Sequence, residues 1–297
     1  MKTRVLSLAE ALLVTFLWST SYILIKIGLK EMNPVAFAAY RYVLASIVLM
    51  LPTCWFYRKR LKRPDLKQLL LFFWLGFTGY FIAQGLQFMG LYYLQPITVT
   101  FILNLTPISV LILGALVIKE KPTFLQVGGI SITLLGVLVF FSESLFASEE
   151  VLGILVTFCS GIGWAAYMIF SRHQLRENKE NVLVLTVSSM IFGSVMLFGT
   201  TVFTGNVIQV SFNGWMIILW LSIVNTALAF VLWNHALKTL RAYEQAILQN
   251  TMLIQITGLA YFFLNETVTI KKAVGIIMVF IGVLIVQMRK SGREKES

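Results

Sequence analysis

The sequence predicts an all-α membrane protein of ten transmembrane helices, arranged as two inverted five-helix repeats. Three observations carry this. Hydrophobic residues make up 58% of the chain and charged residues only 12%, with a mean hydropathy of +0.83, whereas charged residues alone usually supply about a quarter of a soluble domain. Ten apolar stretches, each close to the roughly 20 residues that cross a bilayer, are separated by short polar turns. A single offset of 146 positions, without a gap, then lays the first half of the chain on the second.

In chain order the stretches fall at 7–28, 35–56, 69–90, 97–118, 124–142, 151–171, 182–203, 214–236, 246–264 and 271–288. All are long and continuous, which excludes transmembrane β-strands with their alternating segments of about ten residues. The first lacks a short apolar region followed by a small-residue cleavage site, so it reads as a retained helix. Its Thr15, Ser19, Tyr22 and Lys26 are spaced four, three and four, along one face. Helix 2 follows the turn "KEMNP" and carries Arg41 early. Helix 3 aligns Tyr80, Gln84 and Gln87. Helix 4 holds Asn104 near mid-span, and Pro107, which lacks an N–H, predicts a kink there. Helices 5 and 10 are glycine-rich, helix 6 carries Trp164 and Tyr167, helix 8 Asn225, and helix 9 Gln249 and Asn250. Cys54 and Cys159 sit inside spans and frame neither a disulfide network nor a metal-ligand spacing.

The net charge of +11 is a topology signal rather than a nucleic-acid footprint. Counting loops alternately, one side collects Lys2, Arg4, the basic residues of "YRKRLKRPDLK", Lys119, Lys121, Arg172, Arg176, Lys179, Lys238, Arg241 and the four in the tail, 19 of the 24 in all. Only Lys30, Lys271 and Lys272 reach the other side. The positive-inside rule therefore places both termini in the cytoplasm. "YRKRLKRPDLK" also offers an anionic-lipid contact.

At the offset of 146, Trp18 meets Trp164, Trp74 meets Trp220, Asn104 meets Asn250, Glu120 meets Glu266, Gly129 meets Gly275 and Gly136 meets Gly282. Matches at one register mark a duplicated unit. The unit holds five helices, an odd number, so its second copy enters the membrane from the opposite side; inverted repeats of this kind support alternating access around a midplane site. The predicted division is 1–145 for the first repeat, 146–288 for the second and 289–297 for a basic cytoplasmic tail.

"LLVTFLWSTSYILIKIGL", "NPVAFAAYRYVLA", "NLTPISVLILGALVIKEKPTFLQVGGISITLLGVLV" and "FFLNETVTIKKAVGIIMVFIGVLIV" resemble the EamA-type branch of the drug/metabolite transporter superfamily. The resemblance covers essentially the whole chain. It implies a ten-helix bundle with a central cavity, moving small organic metabolites or amino acids, often outward. The second half departs from the pattern: "LQNTML" has no proline matching Pro107, and Val187 stands where the first half has Arg41.

Ionisable groups inside a bilayer cost at least about 2.5–3.5 kcal/mol, so each needs a reason. Arg41 offers a planar fork of donors for an anion and Lys26 a point charge; the structural alternatives are that Arg41 holds carbonyls and Lys26 snorkels outward. Glu10 predicts an ion pair with a basic loop residue. Glu120 and Glu266 lie just ahead of the next helix, whose N-terminal amides favour negative charge; the functional alternative is proton coupling, against which stands their interfacial rather than midplane position. Asn104, Asn225, Gln249 and Asn250 either bind a polar ligand or tie helices together, at under about 2 kcal/mol each. Trp18, Tyr22, Trp164 and Tyr167 wall a cavity or simply pack, while Trp55, Trp215 and Trp233 read as an interfacial belt.

The expected substrate-binding set is thus Trp18, Ser19, Tyr22, Lys26, Arg41, Tyr80, Gln84, Asn104, Trp164, Tyr167, Asn225, Gln249 and Asn250. No catalytic set, metal site, cofactor or phosphate-cradling loop emerges. The sequence predicts a non-enzymatic secondary transporter, an exporter of small polar metabolites or amino acids in the plasma membrane of a bacterium. Its expected partners are a small-molecule substrate and membrane lipids, with homodimerisation allowed and nucleic acid excluded. The competing class is a non-transporting membrane protein, a scaffold or an intramembrane enzyme acting on lipid-linked substrates.

Overall fold

The computed structural model describes residues 2–57, 64–106, 108–109, 123–142, 148–176, 181–205, 210–240 and 242–287. Ten helices run through the described residues: α1 (Lys2–Gly28), α2 (Pro34–Tyr57), α3 (Leu66–Tyr93), α4 (Pro96–Leu103), α5 (Phe124–Phe141), α6 (Ser148–Arg176), α7 (Val182–Phe203), α8 (Phe212–Thr239), α9 (Ala242–Leu264) and α10 (Ile270–Gln287). Seven of them are long and apolar enough to cross a membrane.

Local chemistry sets the helix starts. Asn33 accepts the Val35 and Ala36 amides on its side chain, and Pro34 takes the first helical position, where a missing N–H costs nothing. Asp65 and Thr123 each form a reciprocal cap with a glutamine three residues on. Ser211 caps α8 and Thr269 caps α10, at the registers of Asp65 and Thr123 although the residue types differ at the first pair. Helices α3 and α8 both widen mid-span into a π-helical segment, Phe77–Ile82 and Ile223–Leu228, again 146 positions apart.

Packing between the halves is matched pair by pair. Helix α1 packs on α9 and on the C-terminal part of α8, and α6 correspondingly on α4 and on the C-terminal part of α3. Helix α2 lies against α7, α5 against α10. The α5–α10 crossing is close because glycines face backbone: a Cβ on Gly129 would lie 2.8 Å from the Gly282 carbonyl, and one on Gly136 3.0 Å from that of Gly275. Small residues at such crossings let membrane helices gain dispersion contacts where lipid supplies no hydrophobic drive. Outward surfaces are apolar, with Trp55, Trp74 and Trp220 exposed.

Helix 4 is interrupted in the turn just before Pro107, where the proline predicts its kink. Helix α4 ends at Leu103, and Asn104 and Leu105 form a turn. Thr106 donates its hydroxyl to the Leu103 carbonyl at 2.6 Å, the acceptor that an N–H at 107 would otherwise serve and that a proline cannot. Pro107 and Glu120 lie outside the described residues. One expectation fails: Trp233 is not an interfacial anchor. It is fully buried, its ring 4.9 Å from that of Trp18, because this face of α8 turns toward α1 rather than toward lipid.

Candidate functional site

A narrow cavity opens between the halves. Helices α1, α2, α3, α6, α8 and α9 line it, together with the end of α4. Four pairs of lining residues sit 146 positions apart: Trp18 and Trp164, Gln84 and Phe230, Leu103 and Gln249, Thr106 and Met252. Trp18 and Trp164 touch edge to face, with centroids 5.7 Å apart. The cavity therefore lies where equivalent surfaces of the two halves meet. In three of the four pairs one half supplies a polar side chain and the other an apolar one.

Of the expected residues, the structure brings Trp18, Tyr22, Arg41, Gln84, Trp164 and Gln249 to the cavity wall. The Trp164 indole N–H donates to Gln249 Oε1 at 3.2 Å, and the Tyr42 hydroxyl to Gln84 Oε1 at 2.7 Å. Each glutamine is thereby held by one aromatic donor, and among the described residues its amide N–H₂ group has no acceptor.

The remaining expected residues lie elsewhere. Ser19 donates to Gln255 Oε1 at 2.8 Å and ties α1 to α9. The Lys26 ammonium donates to the Leu91 and Leu94 carbonyls at 2.7 and 2.8 Å, closing the C-terminus of α3, where cations are favoured. Tyr80 and Tyr167 are fully buried behind the cavity, their hydroxyls 3.3 Å apart. Asn104 returns its amide to the Thr100 carbonyl at 2.9 Å and caps its own helix. Asn225 donates to the Leu17 carbonyl and to Thr20, joining α8 to α1. Asn250 is buried outside the lining.

Arg41 is 97% buried, since only 3% of its surface is exposed. Its Nε donates to Thr226 Oγ1 at 2.6 Å, Nη1 to Ser21 Oγ at 2.9 Å and Nη2 to the Asn225 carbonyl at 3.2 Å. The guanidinium carbon lies 5.5 and 5.7 Å from the ring centroids of Tyr42 and Phe88. The Asn225 carbonyl and Thr226 hydroxyl belong to the π segment of α8. Thr226 in turn donates to the Leu221 carbonyl five residues back, at 2.8 Å. Widened helix turns of this kind recur at functional sites.

The acidic residues settle differently from expectation. Glu10 meets His235 of α8 at 2.9 Å, not a basic loop residue. Glu266 accepts the Ile97 amide, so it serves the N-terminus of α4 rather than that of the following helix α10. Burial holds its carboxyl above the usual range, against the opposing pull of that amide and of the charges on Lys26 and Lys272. Sequence reasoning missed Ser21, Tyr42, Ser160, Phe230 and Met252 in the wall. Ser21 carried a signal, being three residues from Trp18 and so on the same side of the helix, but apolar Phe230 and Met252 look like any other core residue.

The description "EamA-like transporter family" matches residues 6–142 and 151–288. The chain is 26% identical to an uncharacterized transporter of Archaeoglobus fulgidus, over 92% of this chain and 94% of that one. It is 26% identical to a "Probable amino-acid metabolite efflux pump" of Salmonella typhimurium, over 93% and 92%. Over about half of each chain it is 31% identical to an S-adenosylmethionine/S-adenosylhomocysteine transporter of Chlamydia trachomatis. A crystal structure at 16% identity shares the fold, with a TM-score of 0.68 over 94% of this chain and 95% of that one.

Proposed function

The chain belongs to the EamA-like transporter family, and from that premise we propose that it is a secondary exporter of small polar metabolites or amino acids. It works by alternating access between two inverted five-helix repeats. The observation that carries this reading is the cavity lined by equivalent positions of both halves, Trp18 with Trp164 and Leu103 with Gln249 among them. If the two halves exchange conformations, the same residues line a path to each side in turn. The odd number of helices per unit supports the inversion, and the 19 to 3 partition of loop basic residues supports cytoplasmic termini. The efflux-pump name of the Salmonella relative supports the outward direction and the metabolite class.

Proteoliposomes containing only this protein test the proposal, with radiolabelled amino acids and organic acids inside and efflux followed over time. Efflux of at least one class that exceeds empty vesicles and falls in Trp164→Ala is the expected result. Rates equal to those of empty vesicles across both classes would overturn it.

A further inference from the structure

Arg41 brings a full positive charge to the cavity wall, and no carboxylate among the described residues answers it. Its three hydrogen-bond partners, Thr226, Ser21 and the Asn225 carbonyl, are all neutral. Buried charges in proteins are paired, because desolvation of an unpaired one is not recovered by neutral dipoles alone. The faces of Tyr42 and Phe88 offset part of that cost. A guanidinium carries five N–H bonds, and here three have acceptors, one on each nitrogen. Two N–H bonds have no acceptor among the described residues, one on each terminal nitrogen. That is the number a carboxylate takes when it binds in the bidentate, fork-to-fork manner.

From this we infer that Arg41 is the anion subsite of the cavity, and that its ligand is a small monocarboxylate whose two oxygens take the remaining N–H bonds of the terminal nitrogens. The inference rests on the transporter reading of the cavity and deepens it. Thr226, Ser21 and Asn225 hold the fork in place, so it needs no rearrangement when the ligand arrives. The ligand's body then lies among the rings of Trp18, Trp164 and Phe230, which converge within 6.0 Å of one another. Flat apolar groups suit such a wall. Val187 occupies the equivalent position in the second half, so the cavity has one anion subsite, on the first-half side.

The test uses purified full-length protein and titration calorimetry with acid and amide pairs of the same shape. Phenylacetate and phenylacetamide are the lead pair, followed by straight-chain and branched monocarboxylates with their amides. Wild-type protein should bind at least one acid about ten- to a hundredfold more tightly than its amide, the span expected for a charge-assisted contact. Arg41→Gln should erase that preference by weakening the acid far more than the amide. Arg41→Lys should keep only part of it, because a point charge does not replace a fork, and this variant stands in if Arg41→Gln does not fold. Failure of every acid to outbind its amide on the wild type overturns the inference, and so does full displacement of the acid by chloride at equal concentration, which would mark a site for inorganic ions. Continued efflux in either case spares the transporter reading, whereas absence of efflux sinks that reading separately.

Discussion

The π-helical segments of α3 and α8 occupy the same register of the two halves, yet they hold opposite contents. Within Phe77–Ile82 stands Gly79, and the ring of Tyr167 lies against it so closely that a Cβ there would collide with the ring. Tyr80 beside it is buried against the same tyrosine. At Ile223–Leu228 the equivalents are Asn225 and Thr226, and the residue equivalent to Tyr167 is Ser21. Here the second half supplies the bulk, the first half the small side chain, and the space between them is filled by Arg41. Duplication preserved the backbone distortion while its side chains diverged. One copy became an aromatic packing knot, the other a polar anchor for a charge at the cavity wall.

Predictions that break or sharpen this contrast run from large to small. Tyr167→Ala removes the ring that fills the knot and should cost about 3–5 kcal/mol of stability, as for other large aromatic truncations. Thermal denaturation in detergent reads this, and a loss under about 1 kcal/mol would contradict the packing role. Gly79→Ala adds one methyl against that ring and should cost about 1–3 kcal/mol, while Tyr167→Ser should relieve much of this cost in the double variant. Additive losses would mean that the two residues do not share the space. In the other segment Asn225→Ala should cost less, about 0.6–2 kcal/mol, the range of interhelical side-chain hydrogen bonds in membranes.

The smallest effect concerns the end of α9. Glu266 has its carboxyl raised in the folded protein, so the folded state holds that proton more tightly than the unfolded chain does. Its contribution is present below the unfolded value of about 4.3 and is lost as pH rises through the folded value. Melting temperature should therefore fall over that window in the wild type, and Glu266→Gln should flatten this part of the profile. Coincident wild-type and variant profiles would refute the burial of this charge.

Much of the bundle was legible before any coordinates. The ten apolar runs, the 146-residue offset and the Trp18–Trp164 pair follow from hydropathy and register, and the helix bounds reproduce that offset in α3 with α8 and in α5 with α10. The π segments were not legible, because Gly79 in "FTGYFI" reads as one packing glycine among many and "IVNTAL" carries neither glycine nor proline. Intramembrane polar residues divided unpredictably between cavity and glue. Sequence shows that Lys26, Asn104 and Asn225 need partners, but their acceptors are backbone carbonyls on α3, α4 and α1, and every residue has a carbonyl. Arg41 stood out because its equivalent is Val187, and that asymmetry proved to be tied to the π segment of α8.

The exchange of the two halves around a shared cavity is tested most directly at Leu103 and Gln249, which are equivalent in register and both line it. With Cys54 and Cys159 replaced by serine, Leu103→Cys and Gln249→Cys are placed singly in proteoliposomes of uniform orientation, and a membrane-impermeant thiol reagent is supplied first outside and then inside. Alternating access predicts that each cysteine reacts from both sides. Reaction of both cysteines from one side alone would contradict it.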